Sequence, residues 1–185
     1  MTFTQVLEDL FDGEEDAKDL LSMVAKFHPG INEVFFAKEV VLMEEESSIA
    51  AFSTAAEITG LFDRHPDCRY DVSLVDCCGK TAVKLYQQVL NHFGIPYRVV
   101  HDEDTGKAQK QENAEIADLL NGNPCKMLCP DLEGVLGYSP SKQKPYRAMC
   151  RVKELGPDGL PDVFMNTMNW IYFSQEEEPP VQASV

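Results

Sequence analysis

Two patterns of hydrophobic positions alternate between residues 39 and 129. Short runs rich in β-branched residues, typical of buried strands, are separated by longer segments in which apolar residues recur every three or four positions. The predicted strands are Glu39–Met43, Tyr70–Val75, a run that begins after Pro96 and ends at Asp102-Glu103-Asp104, and Lys126–Cys129. Strands that alternate with helices need crossover connections, so the sequence predicts an α/β fold: a mainly parallel sheet of about four strands flanked by helices.

The amphipathic segments predict helices between the strands and at both ends of the chain. Ser47 or Ser48 is expected to cap the first of these helices, which runs to about Leu61. The other predicted helices are one opened by Gly79-Lys80-Thr81 with Val83, Tyr86, Leu90 and Phe93 inward, then Ala108–Leu120, Tyr146–Leu155 and Val163–Tyr172, with two short helices within residues 1–28. We therefore expect an N-terminal helical lead-in (1–38), an α/β domain (39–174) and a disordered acidic tail (175–185).

The chain is strongly acidic, with 31 Asp and Glu against 16 Lys and Arg and a formal net charge of −15. A protein that binds nucleic acid alone normally shows a basic surface, because phosphate neutralisation supplies most of the affinity. DNA contact would therefore need metal ions, a local basic cluster or a basic partner. No apolar run approaches the roughly 20 residues of a membrane span. The acidic N-terminus differs from a signal peptide, so we expect a cytoplasmic protein with no membrane contact.

Six cysteines lie mostly within or beside apolar segments. A disulfide framework would spread them through loops, and the CxxC pair common in zinc sites is absent from the sequence. We therefore expect reduced thiols.

Acidic residues follow each of the four predicted strands, whose carboxyl ends would meet at one edge of a parallel sheet, where ligands gather. They are Glu44-Glu45-Glu46, Asp76, Asp102 with Asp104, and Asp131 with Glu133. If the backbone stays extended, Asp102 and Asp104 point the same way and repel each other unless a cation lies between them. Oxygen ligands favour Mg²⁺ or Mn²⁺, and two such ions about 4 Å apart would suit phosphodiester hydrolysis. The alternative is a set of solvated acidic turns.

Four segments, in this order, also carry a resemblance to a known family. They are Glu39-Val-Val-Leu-Met-Glu44-Glu-Glu-Ser-Ser48, Gly79-Lys80, Gly94-Ile-Pro-Tyr-Arg-Val-Val-His-Asp102-Glu-Asp104 and Leu128-Cys-Pro-Asp131-Leu-Glu133. The order resembles a TOPRIM domain. More narrowly, it is similar to the C-terminal TOPRIM region of the OLD (overcoming lysogenization defect) family of ATP-dependent endonucleases. The resemblance covers residues 29 to about 150.

The resemblance implies a Mg²⁺- or Mn²⁺-dependent nuclease and gives a role to each matching residue. By position these are Glu44 as metal ligand and general base, Asp102 and Asp104 as metal ligands, Asp131 and Glu133 as ligands of a second metal, and Lys144 as the cation that stabilises charge on the phosphate. Lys144 lies in an otherwise rare basic loop, and the alternative is an ordinary surface lysine.

The chain departs from the family pattern at the first motif, which reads Glu-Gly-x-x-Glu. Glu45 stands at the glycine, and Ser48 stands at the second glutamate. Glycine permits close approach of the backbone, whereas a glutamate adds bulk and charge. Ser48 removes an expected ligand, and substitution by Glu45 or Glu46 is a hypothesis.

These observations lead to a divalent-metal-dependent nuclease that hydrolyses DNA by a two-metal mechanism. The chain lacks a GxxxxGK[ST] phosphate loop, so this activity would depend on a separate ABC-type ATPase domain or protein. One alternative is a catalytically weakened TOPRIM fold that acts as a regulatory or assembly module, and another is a metal site for small phosphorylated substrates. The last helix, with Trp170, would complete the core or form an interface, so a homo-oligomer stays open.

Overall fold

The computed structural model describes residues 37–139 and 142–173. The helices predicted within residues 1–28 and the predicted acidic tail lie outside the described residues. The division into lead-in, α/β domain and tail therefore stays a prediction.

Four parallel strands form the sheet, in the order β2-β1-β3-β4. Their bounds are β1 Glu39–Met43, β2 Val72–Asp76, β3 Arg98–Asp102 and β4 Cys125–Leu128. This confirms the predicted parallel α/β fold. In the register, Met43 lies between Asp76 and Val100, and Asp102 lies beside Leu128. The carboxyl ends of all four strands therefore reach the same edge of the sheet.

Eight helices lie in the described part of the chain. They are α1 Glu46–Ile58, α2 Leu61–Arg64, α3 Cys68–Asp71, α4 Lys80–Phe93, α5 Lys107–Asp118, α6 Leu132–Leu136, α7 Lys144–Gly159 and α8 Asp162–Tyr172. None of these described helices is both long and apolar enough to cross a membrane.

The direction of the chain across the sheet reverses between the two central strands, β1 and β3. From β1 the chain passes to β2 at one edge, and α4 then returns it across β1 to β3. Right-handed crossovers in opposite directions place their helices on opposite faces of the sheet. This leaves a crevice at the carboxyl ends of β1 and β3, which is where ligands bind in open α/β sheets.

The larger hydrophobic core lies between the sheet and helices α1, α7 and α8. Alternate strand residues such as Val41 and Met43 face it, and the rings of Phe52 and Phe164 stack there at a centroid distance of 4.4 Å. Trp170 is buried in the same cluster. Helix α8 therefore completes the core, and a homo-oligomer stays a prediction.

Several predicted element bounds are wrong by a few residues. Strand β2 begins at Val72 rather than Tyr70 because its pairing with β1 starts at Glu39, opposite Val72, and earlier residues have no strand beside them. Tyr70 lies exposed in α3. Helix α1 ends at Ile58 rather than Leu61, before Gly60 takes a left-handed φ of 67°. Phe93, predicted to face inward, is 40% exposed.

The last two helices also differ from their prediction. Helix α7 begins at Lys144 and runs through the predicted turn to Gly159, but its helical geometry breaks at Gly156, where φ is 65° and ψ is 173°. Helix α8 begins one residue before the predicted Val163.

Cysteine residues occur as thiols, as predicted, at Cys77, Cys78, Cys125, Cys129 and Cys150. Burial raises the pKa of the Cys77 thiol, because the thiolate would have no water around it. At neutral pH this side chain therefore packs as a small apolar group.

Candidate metal centre

Three carboxylates from three segments converge at the switch point of the sheet. One oxygen each from Glu45, Asp102 and Glu133 all lie within 4.8 Å of one another. Glu45 follows β1, Asp102 ends β3, and Glu133 lies in the first turn of α6. Asp102 and Glu133 are almost fully buried, at 8% and 6% exposed. The parallel topology thus brings together acids that are distant in sequence.

Backbone groups hold the central member of this triad in place. An oxygen of Asp102 accepts the Leu132 N–H at 3.1 Å, and the Asp102 N–H donates to Glu44 Oε2 at 2.9 Å. Glu44 therefore sits against the triad without belonging to it. The Glu44 carboxylate contacts the backbone of Asp102, whereas the Asp102 side chain belongs to the triad.

Glu45 occupies the junction of β1 and α1. It is the N-cap residue of α1, in an extended conformation, but its side chain does not bond to the helix backbone. The Ser47 hydroxyl donates to one of its carboxylate oxygens, and Lys144 donates to the other at 3.0 Å. The predicted caps, Ser47 and Ser48, are wrong, because both are buried within the first turn of α1.

Lys144 lies at the start of α7, and its Nζ lies between two members of the triad. It is 3.0 Å from Glu45 Oε2 and 3.8 Å from Glu133 Oε1. Its side chain remains 47% exposed, so it faces both the carboxylates and solvent. Hydrogen bonding and charge from Glu45 raise the Lys144 pKa.

Asp104 takes a different course from the extended one that the sequence analysis assumed. Strand β3 ends at Asp102, and Asp104 has a φ of 48°, in the left-handed region. Its carboxylate accepts a hydrogen bond from Lys80 Nζ at 2.8 Å, and its N–H donates to the Pro130 carbonyl at 2.9 Å. Asp104 stays close enough for its charge to act on Asp102, but Lys80 engages one of its oxygens.

Asp131 serves as the N-cap of α6. Its Oδ1 accepts the Gly134 N–H at 2.6 Å, a bond typical of a helix cap. Among the described residues, the three-carboxylate cluster does not include Asp131. A role for Asp131 as a metal ligand stays a prediction.

Charge crowding in this buried setting changes proton affinities. Burial, followed by the negative charges of Glu44 and Glu45, raises the pKa of Asp102 to about 8. Burial also raises the pKa of Glu44, against the opposing effects of the Asp102 N–H and the Lys80 charge. Without a cation, burial and the neighbouring carboxylates therefore favour the protonated form of Asp102 at neutral pH.

The donor set of the triad fits a hard divalent cation. All three ligands are carboxylate oxygens, which suit Mg²⁺ and Mn²⁺ and suit softer metals poorly. Beside them, the Tyr138 hydroxyl is buried without a hydrogen-bond partner among the described residues. Burial, followed by the charge of Glu133, raises the pKa of Tyr138. The three carboxylate oxygens of Glu45, Asp102 and Glu133 are therefore the groups that would hold such a cation.

A match to a family model covers the stretch of chain that holds two of the three carboxylates of this centre. Residues 35–104 match the model described as Overcoming lysogenization defect protein-like, TOPRIM domain. This stretch includes β1, β2, β3 and the residues that follow β1 and β3. This match shows the predicted resemblance to the OLD-like TOPRIM family over residues 35–104. Glu45 and Asp102 lie within the matched stretch, and Glu133 lies beyond it.

A curated relative extends the similarity to OLD proteins beyond residue 104. The OLD nuclease of Thermus scotoductus (strain ATCC 700910 / SA-01) is 26% identical over 167 residues, which is 80% of this chain and 31% of that protein. The chain thus spans about a third of the length of the curated relative that it matches.

Sequence reasoning gave no role to Lys80, whose side chain is only 3% exposed. A signal was present, because Lys80 lies three residues before Val83, on the face of α4 that was predicted to point inward. Glu45 was considered as a substitute ligand, and the structure now places it in the triad.

We expect Glu45→Gln to weaken Mn²⁺ binding and Glu46→Gln to leave it unchanged. The amide is a poorer ligand than the carboxylate, so loss of this ligand should cost at least the 10–100-fold in metal affinity that outer-sphere partners cost. Glu46 is the matched control, because it is adjacent, acidic, exposed and outside the triad. Titration of each variant with Mn²⁺ measures the effect, and equal losses at the two positions would contradict the role of Glu45.

Proposed function

We propose that this chain is a divalent-metal-dependent nuclease module that hydrolyses phosphodiester bonds in DNA. The observation that carries the proposal is the cluster of half-buried Glu45 with buried Asp102 and Glu133, beside Lys144. The cluster lies at the switch point of a sheet whose first three strands fall within the stretch similar to an OLD-like TOPRIM domain. The similarity to an OLD nuclease supports the same activity.

In the proposed hydrolysis, the triad, Glu44 and Lys144 would each have a separate role. Glu45, Asp102 and Glu133 would hold the cation, which supplies Lewis-acid polarisation of the phosphate and an activated water when bound. Glu44, with a pKa raised by burial, would accept a proton from the attacking water, since a base works best near the operating pH. Lys144 would stabilise the negative charge that develops on the phosphate.

DNA as substrate and an ABC-type ATPase as partner belong to the same proposal. A net charge of −15 gives the chain little attraction for phosphate, so the purified chain would cut DNA slowly and a second component would bring DNA to the centre more efficiently. An ATPase domain or protein that grips DNA would supply that attraction.

Cleavage of supercoiled plasmid by the purified chain tests the proposed activity. We expect nicked circles in the presence of Mn²⁺ or Mg²⁺, because the carboxylate oxygens of the triad suit these ions. EDTA should abolish the product. If Mn²⁺ binds at the triad and yet neither plasmid nor single-stranded DNA is cut, even with a partner ATPase added, the chain is a regulatory or assembly module instead.

A further inference from the structure

Lys80 is a buried cation beneath the acidic edge of the sheet. It is the first residue of α4, and the preceding Gly79, with a φ of 115°, turns the chain inward after β2. Its Nζ donates to Asp104 Oδ2 at 2.8 Å and to the Glu103 carbonyl at 3.4 Å. A lysine is rarely buried without a paired charge, and here the Asp104 carboxylate is the group that pairs with the buried ammonium group.

The acidic edge has two halves, and each half contacts a different lysine. Lys144, exposed to solvent, contacts Glu45 and Glu133 of the triad. Lys80, shielded from solvent, contacts Asp104, and its charge also acts on Glu44. The Gly79 N–H donates to the Glu44 carbonyl at 2.7 Å, which ties the start of α4 to the end of β1.

The two halves differ in how readily a divalent ion can enter. A divalent ion can displace the exposed Lys144 side chain into water at little cost, because that side chain is already half hydrated. Displacing Lys80 would leave an ammonium group buried beside a doubly charged ion, which is strongly unfavourable.

We infer that the ammonium group of Lys80 takes the place of a second metal ion in this centre. It neutralises and positions the half formed by Glu44 and Asp104, so that the chain takes one divalent ion, on Glu45, Asp102 and Glu133. This rests on the proposed function and differs from the expectation of two ions. Lys80 is a positioning residue here, acting through Asp104 and Glu44.

Counting the ions bound by the full chain tests this role without measuring activity. Equilibrium dialysis or an EPR titration with Mn²⁺ gives the number bound, and Asp102→Asn provides the background from the acidic surface. We expect one specific ion in the wild type. Lys80→Met removes the charge at similar volume and should raise the number to two, whereas Lys80→Arg, which keeps the charge, should leave it at one.

The outcomes separate this inference from the proposed function. Two specific ions in the wild type, or one ion in a folded Lys80→Met variant, overturns the role of Lys80 and leaves the metal-dependent nuclease intact. No specific ion in the wild type overturns the proposed metal chemistry itself. If Lys80→Met does not fold, as judged by circular dichroism, the wild-type count still decides between one ion and two.

Discussion

Asp102→Asn is expected to reduce metal-dependent plasmid cleavage to the background of the assay and, at the same time, to stabilise the metal-free protein at pH 8. The side chains have the same shape, and asparagine keeps an oxygen that can accept the Leu132 N–H. What disappears is a buried negative charge at the centre of the triad. Without it the neutral amide is a weak ligand, so the cation and the activity are lost together.

The gain in stability follows from the raised pKa of Asp102, which is about 8 in the folded protein against an ordinary value of 3.8. The folded state therefore holds this proton more tightly than the unfolded state. Its contribution to stability is complete below the ordinary pKa and is lost as the pH rises to about 8. One pKa unit corresponds to about 1.4 kcal/mol, so the loss amounts to several kcal/mol.

Urea denaturation of the metal-free protein at pH 5 and pH 8 measures this loss. The wild type should weaken as the pH rises, and Asp102→Asn should weaken much less. Mn²⁺ should restore wild-type stability at pH 8 and have little effect on the variant, because binding to the folded state alone stabilises it. The control is Asp76→Asn, at the end of edge strand β2 and outside the triad. An equal pH dependence in Asp102→Asn and wild type would contradict the assignment.

The sequence was informative about the fold and about which edge of the sheet carries the chemistry. A strand that is buried on both faces appears in the sequence as a continuous apolar run, as Val99 and Val100 do in β3. The alternation of such strands with helices predicts a parallel sheet. Parallel strands deliver their following residues to one edge. The convergence of segments after β1 and β3 with α6 therefore followed from topology, without any knowledge of distances.

Which carboxylates meet could not be predicted, because it depends on the residue at which each strand ends. Alternation holds only while the backbone is extended, and it fails at Asp104, where φ is positive. At the end of β1, the turn into α1 directs Glu45 to the triad and leaves Glu44 against the Asp102 N–H. A change of one residue in either strand end would exchange these roles.

Lys144→Met is expected to lower the plasmid cleavage rate by about 10²–10³-fold, the range seen when one group that stabilises transition-state charge is removed. Metal binding should respond in the opposite direction. Lys144 Nζ now lies 3.0 Å from Glu45 and 3.8 Å from Glu133, so it competes with a divalent ion for the same oxygens. Its removal should strengthen Mn²⁺ binding, as measured by the same titration that tests Glu45.

This opposite response distinguishes Lys144 from the ligands and from an ordinary surface lysine. A lost ligand lowers both binding and cleavage, whereas a surface lysine that only attracts DNA affects cleavage modestly and in a salt-dependent way. Lys142→Met is the matched control, since Lys142 is exposed and two residues away, and no described contact links it to the triad. If both variants lose cleavage equally, and high salt removes the difference from wild type, Lys144 acts only through the charge of its loop. If only Lys144→Met loses cleavage while still binding Mn²⁺, the cation acts on the phosphate itself.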